Sequence, residues 1–118
     1  MKEQLDLVKD FHIKFQALVN ENPSIIPGDR AEFRYRLMKD EVEEYLSGAK
    51  NGDLENVAKE LADILFAVYG TIIEHGLQDK MDQIFEEVHR SNMSKDYSQY
   101  KMVKGANYFP ANISQFLN

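Results

Sequence analysis

Residues 57–73, Val-Ala-Lys-Glu-Leu-Ala-Asp-Ile-Leu-Phe-Ala-Val-Tyr-Gly-Thr-Ile-Ile, constrain the chain more than any other stretch. From Leu61 to Ile73 the single charged side chain is Asp63, while Leu61, Ile64, Leu65, Phe66, Val68, Ile72 and Ile73 fall on nearly every side of a helix. Such a helix is expected inside a bundle rather than on its surface. An ionised carboxylate left alone there would be very costly. Glu60 and above all Asp63 are therefore expected to meet a cation, a metal or a proton.

The rest of the chain supplies the partners of this helix. Leu5, Val8, Phe11, Phe15, Leu18 and Val19 recur at three-and-four spacing, which predicts an amphipathic first helix over residues 2–19. Pro23, Pro27 and Gly28 break the pattern. Asp29 then caps a second helix running to about Ala49, with Glu32 three positions on completing a capping box. Asn51-Gly52-Asp53 reads as a turn and a cap, so the second and third helices are expected to form an antiparallel hairpin. Gly76 is placed to end the third helix in a left-handed conformation. A fourth helix starts near Gln78 or Asp79, carries Met81, Ile84, Phe85 and Val88, and fades near Ser91 or Asn92. The expectation is an all-α four-helix up-down bundle: a single domain over residues 1–118 with a helical core at about 2–92 and an irregular tail at 93–118.

Composition narrows the partners. The 118 residues, 43% hydrophobic, suffice for one core, and the net charge of −6 lacks the basic field that nucleic acid or an anionic membrane would require. No cysteine is present, which removes disulfides and thiolate ligands and fits a reducing cytoplasm. The charged Met1-Lys2-Glu3 start and the interrupted apolar run are expected to be neither a signal peptide nor a membrane anchor. Four modest helices around so apolar a third one also leave surface for a second copy to cover, so a homo-oligomer, dimer or tetramer, is expected.

Two acidic pairs carry the chemistry. Glu41 and Glu44 stand three residues apart on the second helix, and Glu60 and Asp63 repeat that spacing on the third. Across an antiparallel pair the four converge, beside the small residues Ala67, Gly70 and Thr71 that leave room for a ligand. An all-carboxylate set suits a hard divalent ion, Mg²⁺ first and Mn²⁺ second, completed by water and substrate phosphate. Such a site points to phosphoryl or nucleotidyl hydrolysis. An internal salt bridge from Arg34 or Arg36 to Asp63 is the competing explanation.

Asp40-Glu41-Val42-Glu43-Glu44, fifteen further residues, and then Glu60-Leu61-Ala62-Asp63 resemble the acidic motif of the all-α nucleoside triphosphate pyrophosphohydrolases, the MazG-like superfamily. Phe11-His12, Arg36-Leu37, the run from Val88 to Lys95 and the run from Lys104 to Pro110 resemble its phosphoribosyl-ATP pyrophosphohydrolase-like branch. Asp40 stands where that branch usually has Glu, and the segment between Lys95 and Lys104 is short. The resemblance implies Mg²⁺-dependent cleavage between the α and β phosphates of a nucleoside triphosphate, giving a monophosphate and pyrophosphate, in a bundle completed by dimerisation. By motif position it implies Glu41, Glu44, Glu60 and Asp63 as metal ligands, and Asn92 and Lys95 as substrate contacts, Lys95 on phosphate. Lys104, Asn107 and Tyr108 are further candidates for the substrate, the last two either meeting a base or packing the tail. His12 reads as a packed histidine, and His75 and His89 lack a ligand partner at metal spacing. A di-iron bundle would need Glu-x-x-His, which neither pair supplies, and a non-catalytic helical adaptor is the alternative from outside enzymology.

Overall fold

The computed structural model describes residues 1–98 and 100–117. Residues 99 and 118, part of the expected tail, lie outside them. Four α-helices and one short 3₁₀ turn, with no strand among the described residues, make this an all-α protein: α1 Lys2–Lys14, α2 Gly28–Lys50, α3 Leu54–Glu74, α4 Met81–Met93, and the turn Ser114–Phe116. None of the described helices is long and apolar enough to cross a membrane. The chain divides into two compact units, Met1–Gln78 and Asp79–Asn118.

In the first unit α2 and α3 form the expected hairpin. Gly52 adopts φ +66° in the turn, and the Asp53 carboxylate accepts the backbone N–H of Asn56 at 3.0 Å, capping α3. Leu5 and Val8 of α1 pack on Ile73 of α3, with Val19, Tyr69 and Ile72 around them. The end of α3 is sealed by the connection between α1 and α2. Asn20 N–H donates to the Ile73 carbonyl, the Asn20 amide to that of Glu74, and Ser24 N–H to that of His75, satisfying carbonyls that a helix end otherwise leaves open. Gly76, at φ +68°, ends α3 as the sequence predicts and lies against the Asn22 backbone, where a side chain would collide.

Three expectations need correction. First, α1 stops at Lys14, not residue 19, because Gln16 turns left-handed at φ 58°: its N–H donates to Ile13 and that of Ala17 to His12, a Schellman closure. Val19 still reaches the core, but from the reversed chain, which is why periodicity read straight through the turn. Second, α2 begins two residues early, with Pro27 before Gly28, so Asp29 sits in the first turn without capping and Glu32 pairs with Arg36 at 3.4 Å instead of closing a box. Third, α3 is not enclosed on all sides in the chain by itself. Leu61 and Leu65 remain about half exposed, 47% and 51%.

The second unit comprises α4 and the irregular segment after it. That helix begins at Met81, slightly later than predicted, after a turn over residues 78–80. The segment is fastened to it by defined bonds. Buried Glu87 takes a two-point ion pair from Arg90, at 2.7 and 3.1 Å, and the backbone N–H of Asn112 at 2.8 Å. Ser91 Oγ donates to the Phe109 carbonyl, and the Arg90 guanidinium lies 4.7 Å from the Phe109 ring centre. Asp96 and Val103 pair their backbones in a single bridge.

Candidate active site

One face of α3 carries Glu60, Asp63, Ala67, Thr71 and Glu74, and it lies along a stripe of α2 carrying Arg34, Leu37, Glu41 and Glu44 at matching helical spacing. Antiparallel register sets Arg34 opposite the end of α3 and Glu41 opposite its middle. The carboxylates at the two ends of this seam are met in different ways.

At one end Glu74 is completely buried and receives a two-point contact from Arg30, at 3.0 and 2.7 Å, and a third from Arg34 Nη1 at 3.2 Å. Arg34, itself buried, also donates to Thr71 Oγ1 at 3.1 Å and to the Ala67 carbonyl at 2.8 Å. Both carboxylate oxygens of Glu74 thus have guanidinium donors, and its negative charge is more than offset. The space over Gly70, expected to admit a ligand, is filled by this guanidinium and by His12, whose Nε2 stands 2.8 Å from where a Cβ would sit. His12 is packed as predicted, its Nδ1 donating to the Leu18 carbonyl at 3.0 Å.

At the other end Glu41, Glu60 and Asp63 each bring a carboxylate oxygen within 4.8 Å of the others. The only cation among the ion pairs described there is Lys59, an exposed side chain 2.7 Å from Asp63 and 3.6 Å from Glu60. Oε2 of Glu41 and Oε2 of Glu60 are buried with no donor. Burial first, then the carboxyl groups of Glu60, Glu44 and Asp63, push the Glu41 carboxyl from 4.5 to about 7. A proton held between the buried oxygens would satisfy them at some cost in charge; a divalent cation would satisfy all three groups. The donor set, three carboxylates with no histidine, fits a hard oxygen-seeking ion.

The predicted set therefore assembles in part. Glu41, Glu60 and Asp63 come together, whereas Glu44 stands beside Glu41, exposed and outside the cluster. Asp63 is not the deeply buried carboxylate that its apolar neighbours suggested: its side chain is 37% exposed and paired to Lys59, and Glu60 takes the interior position. Neither arginine weighed for Asp63 serves it, since Arg34 pairs with Glu74 and Arg36 with Glu32. Sequence reasoning overlooked the Glu74–Arg30–Arg34 group, although Arg30 and Arg34, four apart on the stripe leading to Glu41, were a readable signal.

A family model described as phosphoribosyl-ATP pyrophosphohydrolase matches residues 8–92, most of the chain and all four of these acidic residues. The chain belongs to the phosphoribosyl-ATP pyrophosphohydrolase family. That places it in the MazG-like all-α pyrophosphohydrolase superfamily and makes it a nucleotide pyrophosphohydrolase, a hydrolase of phosphoanhydride bonds. No curated protein matches it.

The family match ends at Asn92, so Lys95, Lys104, Asn107 and Tyr108 fall beyond it. All five residues predicted to meet substrate belong to the second unit. Asn92 is exposed in the last turn of α4, and Lys95 closes the following turn through its N–H to the Asn92 carbonyl at 3.1 Å. The Lys104 ammonium lies 5.3 Å from the Tyr108 ring centre, so one face of that ring is already engaged, and Asn107 is exposed between them in sequence.

Proposed function

We propose that this pyrophosphohydrolase cleaves the bond between the α and β phosphates of a nucleoside or deoxynucleoside triphosphate, releasing a monophosphate and pyrophosphate. The observation carrying the reading is the cluster of Glu41, Glu60 and Asp63, with two buried oxygens that no donor serves. These residues would hold Mg²⁺, or Mn²⁺ in its place. When bound, the ion supplies charge neutralisation at the phosphates and lowers the pKa of water. Glu60 and Asp63 stand one turn apart on a helix whose far end is braced by the Arg30–Arg34–Glu74 group. Glu44, exposed beside Glu41, accepts the proton of the attacking water. Lys95 binds phosphate, and Asn92, Lys104, Asn107 and Tyr108 complete the substrate contacts, with residues 1–118 acting as one domain. The acidic charge of −6 supports a small-molecule substrate over nucleic acid, and the absence of cysteine supports a cytoplasmic setting.

Incubating the pure chain with each nucleoside triphosphate and Mg²⁺, and resolving the products, tests the bond cleaved. Pyrophosphate is expected; orthophosphate would reject the assignment. Glu60→Gln keeps the shape and removes the charge, and kcat should fall about 100-fold or more, as for loss of a group that acts on developing charge, with the melting temperature retained. Unchanged turnover would take Glu60 out of the site.

A further inference from the structure

The segment after α4 returns to the helix it has just left, and two serines receive it. Ser91 lies in the last turn of α4, and Ser94 closes the helix one turn on. The Phe109 N–H donates to Ser94 Oγ at 3.1 Å, and Ser91 Oγ donates to the Phe109 carbonyl at 2.8 Å. Ser94 Oγ donates its own hydrogen to the Ser91 carbonyl at 2.6 Å, which leaves its lone pairs for the Phe109 amide. Both backbone groups of Phe109 are therefore held, as a strand partner would hold them. Ser91 is buried, so water is a poor substitute for its hydroxyl.

We propose that Ser91 and Ser94 are positioning residues for the phosphate contacts. By fastening Phe109 to the end of α4 they keep Lys104 opposite Lys95, so that the two ammonium groups take one phosphate chain between them. The role rests on the reading of Lys95 and Lys104 as substrate contacts.

Register supports it first. Asp96 and Val103 pair antiparallel and exchange both backbone hydrogen bonds at 2.8 Å. Lys95 and Lys104 are the next residues outward on either side of that bridge, and so fall opposite each other. The two stretches stay close there, since a Cβ on Gly105 would strike the Asp96 carboxylate.

Charge is the second support. Like charges set opposite each other repel. The ion pair described in this unit joins Glu87 to Arg90 and leaves out both lysines. Lys104 meets the Tyr108 ring, which does not cancel a full charge. An anion with several oxygens between the two ammonium groups would do so.

The third support is where the serines act. Lys95 lies in the chain between Ser94 and Asp96, and Lys104 between Val103 and Phe109, so the bridge frames the lysines on one side and the serine bonds on the other. Without those bonds residues 104–109 would turn about the bridge, and the lysines would lose their register.

The test uses the full chain with Mg²⁺ and inorganic pyrophosphate, its affinity measured by calorimetry beside the hydrolysis of nucleoside triphosphates. Ser91→Ala and Ser94→Ala should each weaken pyrophosphate about fivefold, the scale of one net hydrogen bond, while Ser94→Thr, which retains the hydroxyl, should keep wild-type affinity. Amide hydrogen exchange at Phe109 should quicken in Ser94→Ala, reporting that the bond is open. Lys104→Ala should weaken pyrophosphate about tenfold, and adding Ser94→Ala to it should weaken binding no further, because the serine acts through that lysine.

Equal pyrophosphate affinity in wild type and both serine variants would overturn the proposal. So would losses that add to that of Lys104→Ala, no loss from Lys104→Ala, or no pyrophosphate binding by wild type. A loss from Lys104→Ala alone would keep the lysine contact and remove the serines from it. Serine-dependent pyrophosphate binding without triphosphate hydrolysis, or with orthophosphate as product, would sink the proposed cleavage and leave the positioning role standing.

Discussion

Glu74 and Glu60 show how differently two buried carboxylates on one helix are treated. Glu74 is matched by two arginines, and removing it would strand the buried Arg34. Glu74→Ala is therefore expected to cost about 3–5 kcal/mol in a urea titration, the range for breaking one side of a buried pair. Glu60 has a weak lysine contact and one oxygen with no donor, a poor arrangement for stability alone and a suitable one for a cation.

Glu41 makes the same point through pH. Its carboxyl titrates near 7 in the folded chain and at 4.5 as a free side chain, so between those values the folded state holds a proton the unfolded state has lost. Stability of the metal-free protein should thus fall as pH rises from about 4.5 to 7, the reverse of a salt-bridged carboxylate. Thermal melts in chelator across that window should show the slope, and Glu41→Gln should flatten it.

At the scale of elements, the ends of helices were harder to read than their middles. Asp53 caps α3 as its sequence position implies, and Asp53→Ala should lower stability by about 1 kcal/mol by the loss of one cap bond, measurable by denaturant unfolding. The same reasoning failed at Asp29, because Pro27 and Gly28 start α2 two residues sooner and leave the carboxylate inside the first turn. It failed again after Lys14, where the left-handed Gln16 had no glycine to announce it. Cap chemistry identifies candidates; which candidate sits at the boundary depends on where the neighbouring chain packs. The acidic spacing survived such shifts of a residue or two because Glu41, Glu60 and Asp63 lie well inside their helices.

At the scale of the molecule, Leu65, about half exposed on α3, lines with Leu7, Phe66 and Tyr69 an apolar groove of about 180 Å³, and Leu61 on the same helix is exposed to a similar degree. Burying it against a second copy is the expected remedy. Analytical ultracentrifugation should find a species heavier than the 13.7 kDa chain, and Leu65→Lys, which adds a charge to the groove without touching the acidic cluster, should shift it toward the monomer.

What the amino-acid order settled by itself was local and periodic: an all-α chain, a tight α2–α3 hairpin, and two acidic pairs on facing stripes, because turn chemistry and a repeat of 3.6 residues are written in neighbours. What required the folded chain was every choice among distant groups. Packing decided that Arg34 neutralises Glu74 and not Asp63, that Glu60 takes the inner place, that Glu44 stays outside the cluster, and that Phe11 meets Phe66 beside it. Such pairings depend on helix register and on the depth of each side chain, and spacing along one helix carries neither.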